Sequence, residues 1–188
     1  MRKRRLEKLS LALALAVCML VIGNDVSAAH RLQAPSAHII REVRHELVTL
    51  PYYGVFDWLQ YEVRADNTVV LRGQVVRPST KSDAEARVRR IDGVPQVINE
   101  IKTLPLSPSD DRHRVALYRA LYSSNSPLFR YATQSVPSIH IIVDRGHAVL
   151  KGVVDSKGDA RLANLRAQGV PGLFSVKSEL TVESENPR

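Results

Sequence analysis

The chain has 188 residues, 44% of them apolar, and a formal net charge of +8. That apolar content is ordinary and suffices to bury a core. Residues 1–29 hold five basic and two acidic residues, so the remainder carries only +5. A charge this mild suits an acidic surface such as an anionic bilayer, and it lacks the dense basic stripe of a nucleic-acid binder.

The first 29 residues have the layout of a secretory signal. Arg2-Lys3-Arg4-Arg5 is a basic start, Leu9 to Ile22 an apolar run, and Val26-Ser27-Ala28-Ala29 a small-residue cleavage stretch. The apolar run falls short of the roughly 18 residues of a spanning helix. The expectation is export to the periplasm, with membrane-peripheral attachment compatible with it. Cys18 is preceded by Val17, where lipidation would want a small residue, so a lipoprotein signal is disfavoured. Cleavage at Ala28 or Ala29 leaves a chain with no cysteine, whose stability must come from packing alone.

Ser36 is the expected cap of a first helix whose apolar face is Ile40, Val43, Leu47 and Leu50. Pro51 stops it, and Tyr52 to Trp58 form an aromatic connection. Leu59, Tyr61, Val63 and Ala65 alternate with polar residues, the period of a half-buried strand. Asp66-Asn67 reads as a tight turn, and Thr68 to Val76 as the returning strand. Gly73 lies inside that strand, where it permits close approach of another element; the following helix is the expected neighbour. Thr80-x-x-Asp83 reads as a capping box for a helix carrying Ala84, Val88 and Ile91, ended by Gly93. Val97, Asn99, Ile101 and Thr103 alternate as a third strand. The order is α-β-β-α-β.

After the proline-stiffened stretch 104–109 the order begins again. Ser109 or Asp110 is expected to cap a helix with Val115, Leu117, Tyr118, Leu121 and Tyr122 on its apolar face. Ile139 to Val143 is almost continuously apolar, which predicts a strand covered on both faces. Ser156-x-x-Asp159 is a second capping-box pattern, and Val176, Ser178, Leu180 and Val182 alternate in the last strand. Gly73 recurs as Gly152, an offset of 79 residues that also pairs Val63 with Ile142, Ala84 with Ala163 and Gly93 with Gly172. A repeat of that length reads as two copies of one supersecondary unit.

The stretches Leu71-Arg72-Gly73 and Asp92-Gly93-Val94-x-x-Val97-x-Asn99-x-Ile101 form an ordered pattern. It returns as Leu150-Lys151-Gly152 and Pro171-Gly172-Leu173-x-x-Val176-x-Ser178-x-Leu180. This pattern resembles the BON domain, in two tandem copies at residues 36–104 and 110–183. The resemblance implies an α+β fold of two tandem α-β-β-α-β modules, each a three-stranded mixed sheet packed by two helices. It marks Gly73, Gly93, Gly152 and Gly172 as structural glycines. It further implies a non-enzymatic protein of the bacterial envelope, concerned with phospholipid or with envelope integrity under osmotic stress. Ser178 stands where the pattern has asparagine, which makes the last strand of the second copy the less certain of the two.

The residues give little chemistry. His38 and His45 lie seven apart on the first helix with no further ligand at metal spacing, and His113, His140 and His147 have no evident nucleophile partner. Gly169-Val170-Pro171-Gly172 matches a four-residue RNA-loop pattern but sits between a helix and a strand, and reads as a turn. No catalytic residue, metal or cofactor is expected. The second module, with ten basic and seven acidic residues over 110–183, is the better lipid candidate than the first, with ten and nine over 36–106. Its candidate lipid contacts are Arg112, Arg114, Arg119, Phe129, Arg130 and Tyr131: rings for the headgroup layer and guanidinium groups for phosphate. The competing reading makes the tyrosines core and the arginines a solvated edge. The expected partner is an anionic phospholipid surface or, failing that, an envelope protein or peptidoglycan; nucleic acid is not.

Overall fold

The computed structural model describes residues 36–134 and 136–183, so the expected signal at 1–29 lies outside the described residues. Among the described residues no helix is long and apolar enough to cross a membrane. The first module begins with α1 (Ala37–Val48), which buries Ile39, Val43 and Leu47. The stripe therefore runs at i, i+4 and i+8, and Ile40 is 38% exposed on its shoulder, against expectation. Strands β1 (Trp58–Val63) and β2 (Val69–Val75) form an antiparallel hairpin, turned at Asn67 with a φ of 62°. Helix α2 (Pro78–Val88) opens on a proline at its first turn, which fixes φ where no N–H is needed. Thr80 is thus a buried residue within the helix and not its cap, and Gly93 sits in the turn after the helix has ended at Val88. The chain then returns parallel to β2 as two short strands, β3 (Val97–Asn99) and β4 (Lys102–Thr103).

The second module repeats the plan. Helix α3 (Pro108–Tyr122) is capped by Ser107, whose hydroxyl accepts from the Asp110 N–H. A 3-10 helix (Pro127–Ala132) leads to β5 (Ile139–Asp144), antiparallel to β6 (His147–Val154). Helix α4 (Lys157–Gln168) is capped by Ser156, as its capping-box pattern predicts, and β7 (Ser175–Val182) runs parallel to β6 over its whole length. Each module is a central strand flanked by one antiparallel and one parallel neighbour, with its helices over a core of its own. The α+β architecture of two tandem modules is the one the sequence predicts.

The repeat is real, with one adjustment. Gly73 pairs with Leu59 and Gly152 with Ile139, so the first strands are related by 80 residues and not 79. Val63 corresponds to Val143, and the second hairpin turn is one residue shorter. The two glycines have matching conformations, φ 129° and 121°. A Cβ on Gly73 would lie 1.8 Å from the Trp58 carbonyl oxygen, and one on Gly152 1.9 Å from that of Ser138. What crowds each glycine is therefore the backbone of the neighbouring strand, not the following helix. Only a residue without Cβ tolerates both that φ and that contact.

β5 is an edge strand, and three of its outward backbone groups are taken by other parts of the chain. Tyr122 donates its hydroxyl to the Ile139 carbonyl at 2.6 Å, the Ile141 N–H donates to the Val55 carbonyl at 2.7 Å, and Arg114 donates to the Val143 carbonyl at 2.6 Å. Those contacts cover the edge along its length and disfavour pairing with another strand. Ile139 to Val143 are all buried, as their unbroken apolar run predicts. On one face they meet their own helices; on the other, His140 meets Tyr53 and Trp58 of the first module.

Candidate functional site

Helix α3 and the 3-10 helix carry the six residues that the sequence offers to a lipid surface, and the fold divides them. Arg112 and Arg119 are exposed on one outer face of α3 and form no ion pair among the described residues. Val115, 43% exposed, lies between them, and the three line an open hollow of about 430 Å³ with Asp111 and Ala116. Phe129 is 44% exposed on the neighbouring 3-10 helix.

Arg114 and Tyr131 are corrections. Arg114 is 2% exposed, bonded to Asp111 at 2.5 Å and to the Val143 carbonyl. Its guanidinium closes the β5 edge and cannot reach a bilayer. Tyr131 is 3% exposed, and its hydroxyl accepts from the Asp155 N–H at 2.9 Å while donating to Asp159 at 3.1 Å. Arg130 is half-exposed but turned back onto Asp159 at 2.7 Å and Asp155 at 3.2 Å, which neutralise it. Arg114 meets an acid one helical turn before it and Arg130 meets two acids that the fold brings opposite it, so both spend their donors internally. Sequence spacing does not show which arginines do so.

The electrostatics agree with structural roles for the buried carboxylates. Burial opposes the charged form of Asp110, but the N–H groups of Gly146 and Arg145, with Arg114 and Ser107, outweigh it and hold the group below the usual range. Asp110 thus ties the start of α3 to the β5–β6 turn at 2.8 and 2.9 Å and is not its cap, contrary to the sequence reading. Asp159 is likewise lowered: burial is outweighed by Ser156, Tyr131 and Arg130. Asp57, buried in the first module, is raised by desolvation despite bonds from the Val76 and Gly54 N–H groups. Among the described residues no group of three His, Cys, Asp or Glu side chains is placed to hold a metal.

A second concavity was not legible in the sequence. A cleft of about 740 Å³ lies between the modules, with Tyr53 and Trp58 on one side and Ser138, His140 and Asp155 on the other. The His140 ring stacks on Tyr53 with centroids 5.6 Å apart, and Trp58 meets it edge-on at 5.1 Å. His140 is 5% exposed, and burial lowers its pKa despite the backbone acceptors of Asp57 and Gly54. The available signal was the aromatic connection before β1 together with the covered outer face of β5. No spacing rule joins residues 53 and 140.

A family model, the BON domain, matches residues 36–105 and 128–184. No curated protein matches. Among solved structures, the chain is similar to CdsD, a structural protein of the type III secretion system of Chlamydia trachomatis. Identity is 14%, 77% of this chain and 92% of that chain are covered, and the TM-score is 0.30. A structure of the CdsD C-terminal domain gives 14% identity, 78% and 98% coverage, and a TM-score of 0.29. The BON domain is a non-catalytic, binding type of domain found in envelope proteins. With two sheets of one design, two glycines in one strained conformation and a family match on each segment, this chain belongs to the BON domain family as a tandem, two-copy member.

Proposed function

We propose that the protein binds anionic phospholipid at an envelope membrane surface through the outer face of α3, and that it supports envelope integrity or osmotic stress tolerance in that position. The observation that carries this reading is the pair of unpaired guanidinium groups, Arg112 and Arg119, flanking the exposed Val115, with Phe129 exposed nearby. Seven residues along a helix set the two arginines about 10 Å apart on one side. Guanidinium groups take phosphate oxygens as paired acceptors, and an apolar side chain between them enters the headgroup layer. Arg114, Arg130 and Tyr131 shape the helix and its connection and stay out of the contact.

Co-sedimentation with vesicles of phosphatidylglycerol, compared with phosphatidylcholine, tests the reading. Binding to the first alone is expected, weakened by salt because exposed charges are screened, and lost in the double variant Arg112→Glu, Arg119→Glu. Equal and negligible binding to both vesicles would remove it and favour docking to an envelope protein.

A further inference from the structure

We infer that β7 is a docking edge for a second copy of this chain, the two β7 strands pairing antiparallel about a two-fold axis at Ser178. β7 is the outer strand of the second sheet and lies beside β6 over eight residues without a break. Its outward backbone groups follow from the alternation along neighbouring strands. The Val153 N–H donates to the Ser138 carbonyl on the β5 side, so Ala148, Leu150 and Gly152 turn their N–H and C=O groups towards β7. In a parallel pair such residues bond to the neighbours of the residue opposite them. The residues opposite, Val176, Ser178 and Leu180, therefore point their own N–H and C=O groups outward. Among the described residues those groups have no hydrogen-bond partner. The edge of β5, by contrast, is covered, and the third strand of the first module is broken into β3 and β4. A long, unblocked edge is a template for another strand.

The strand that fits this edge is its own sequence run in reverse. With Ser178 opposite Ser178 of the second copy, Val176 meets Leu180 and Leu180 meets Val176, all as hydrogen-bonded pairs. Between them Lys177 comes opposite Glu179 on both sides of the axis, at the closely spaced positions where side chains touch. Centring the pair on Lys177 or on Glu179 instead would set like charges opposite each other, which is unfavourable. Charge thus selects the register. Within one chain Glu179 holds Lys151 at 2.5 Å and Lys177 at 2.7 Å. The Lys177 side chain is 69% exposed, so it can exchange its own Glu179 for that of the second copy without losing a partner. Val176 and Leu180 are half-buried on the core side of the sheet, and the pairing covers the part each leaves exposed.

Sedimentation velocity of the full chain over a concentration series is expected to show a reversible monomer–dimer equilibrium. Lys177→Glu turns both attractive pairs into repulsive ones and is expected to weaken the dimer at least about tenfold. Glu179→Lys is expected to do the same, each variant keeping its circular dichroism spectrum. An equimolar mixture of the two variants is expected to dimerise again, because every acid then faces a lysine, a recovery that no folding defect would give. Arg112→Glu, on the outer face of α3, is expected to leave the dimer unchanged. A monomer at every concentration would overturn the inference and leave the edge to a strand of another protein. So would a dimer that survives both charge variants, or a mixture of them that stays monomeric.

Discussion

The two modules solve the same structural problems with different side chains. In the first, the backbone N–H at the end of the central strand, on Val76, is taken by the carboxylate of Asp57 at 2.7 Å. In the second, the equivalent N–H, on Asp155, is taken by the hydroxyl of Tyr131. In the first, Asn99 donates to the Lys81 carbonyl and to Glu85 of α2 while accepting from the Ile101 N–H. That last bond draws the chain out of the ladder, and the third strand breaks into β3 and β4. Ser178 is too short for this span, and β7 stays in register with β6 for eight residues. The residue that made the last strand of the second copy look less certain is the one that lets it run unbroken. Such differences show that the fold prescribes which backbone groups need a partner and leaves the identity of the partner open.

The comparison breaks most visibly at the shared element. Gly73→Ala and Gly152→Ala should each cost about 3 kcal/mol or more, since each forces a Cβ onto a carbonyl oxygen at a φ above 120°. Urea unfolding of the two variants checks this, and a copy that tolerates alanine would show that the two glycines are not equivalent. Next in size is Arg114→Met, expected to cost about 2–3 kcal/mol by leaving the buried Val143 carbonyl without a donor. Arg112→Met on the same helix should leave the thermal midpoint nearly unchanged, and a matching loss there would erase the distinction between edge and surface. Asn99→Ser should cost roughly 1–2 kcal/mol through its lost bonds to α2, whereas Ser178→Asn should stay within about 0.5 kcal/mol.

The smallest effect is one of pH and belongs to the boundary between modules. The folded state lowers the pKa of His140 by burial, so the unfolded chain takes up a proton that the native one refuses. Stability is then full above the ordinary imidazole range and falls as pH drops through it towards the folded value. Denaturant midpoints measured across that window in wild type and in His140→Phe should differ in slope. Identical slopes would show that another group titrates there.

Much of the architecture was legible because periodicity is a local property. Alternation at 59–63, the continuous apolar run at 139–143 and the capping serine at 156 each announced their element, and the repeat of Gly73 as Gly152 announced the duplication. The misreadings share a cause. Local pattern alone puts Ile40 inward, makes Thr80 a cap and gives the glycines a helix contact. In each case a neighbour distant in sequence, or a single proline, decided the outcome. The six candidate lipid residues fared likewise: composition brought them together, and only the positions of Asp155, Asp159 and the Val143 carbonyl separated Arg112, Arg119 and Phe129 from Arg114, Arg130 and Tyr131.

The sequence by itself determined that there are two modules, what the order of their elements is, and where each central strand carries a residue without a side chain. It could do so because hydrophobic period and turn chemistry act over a few residues at a time. Only the tertiary structure decided which arginines remain free, how the edge of β5 is closed, and that Trp58, Ser138 and His140 share one cleft. Those depend on hydrogen-bond partners and burial, which come from residues far apart along the chain and exist only once it has folded.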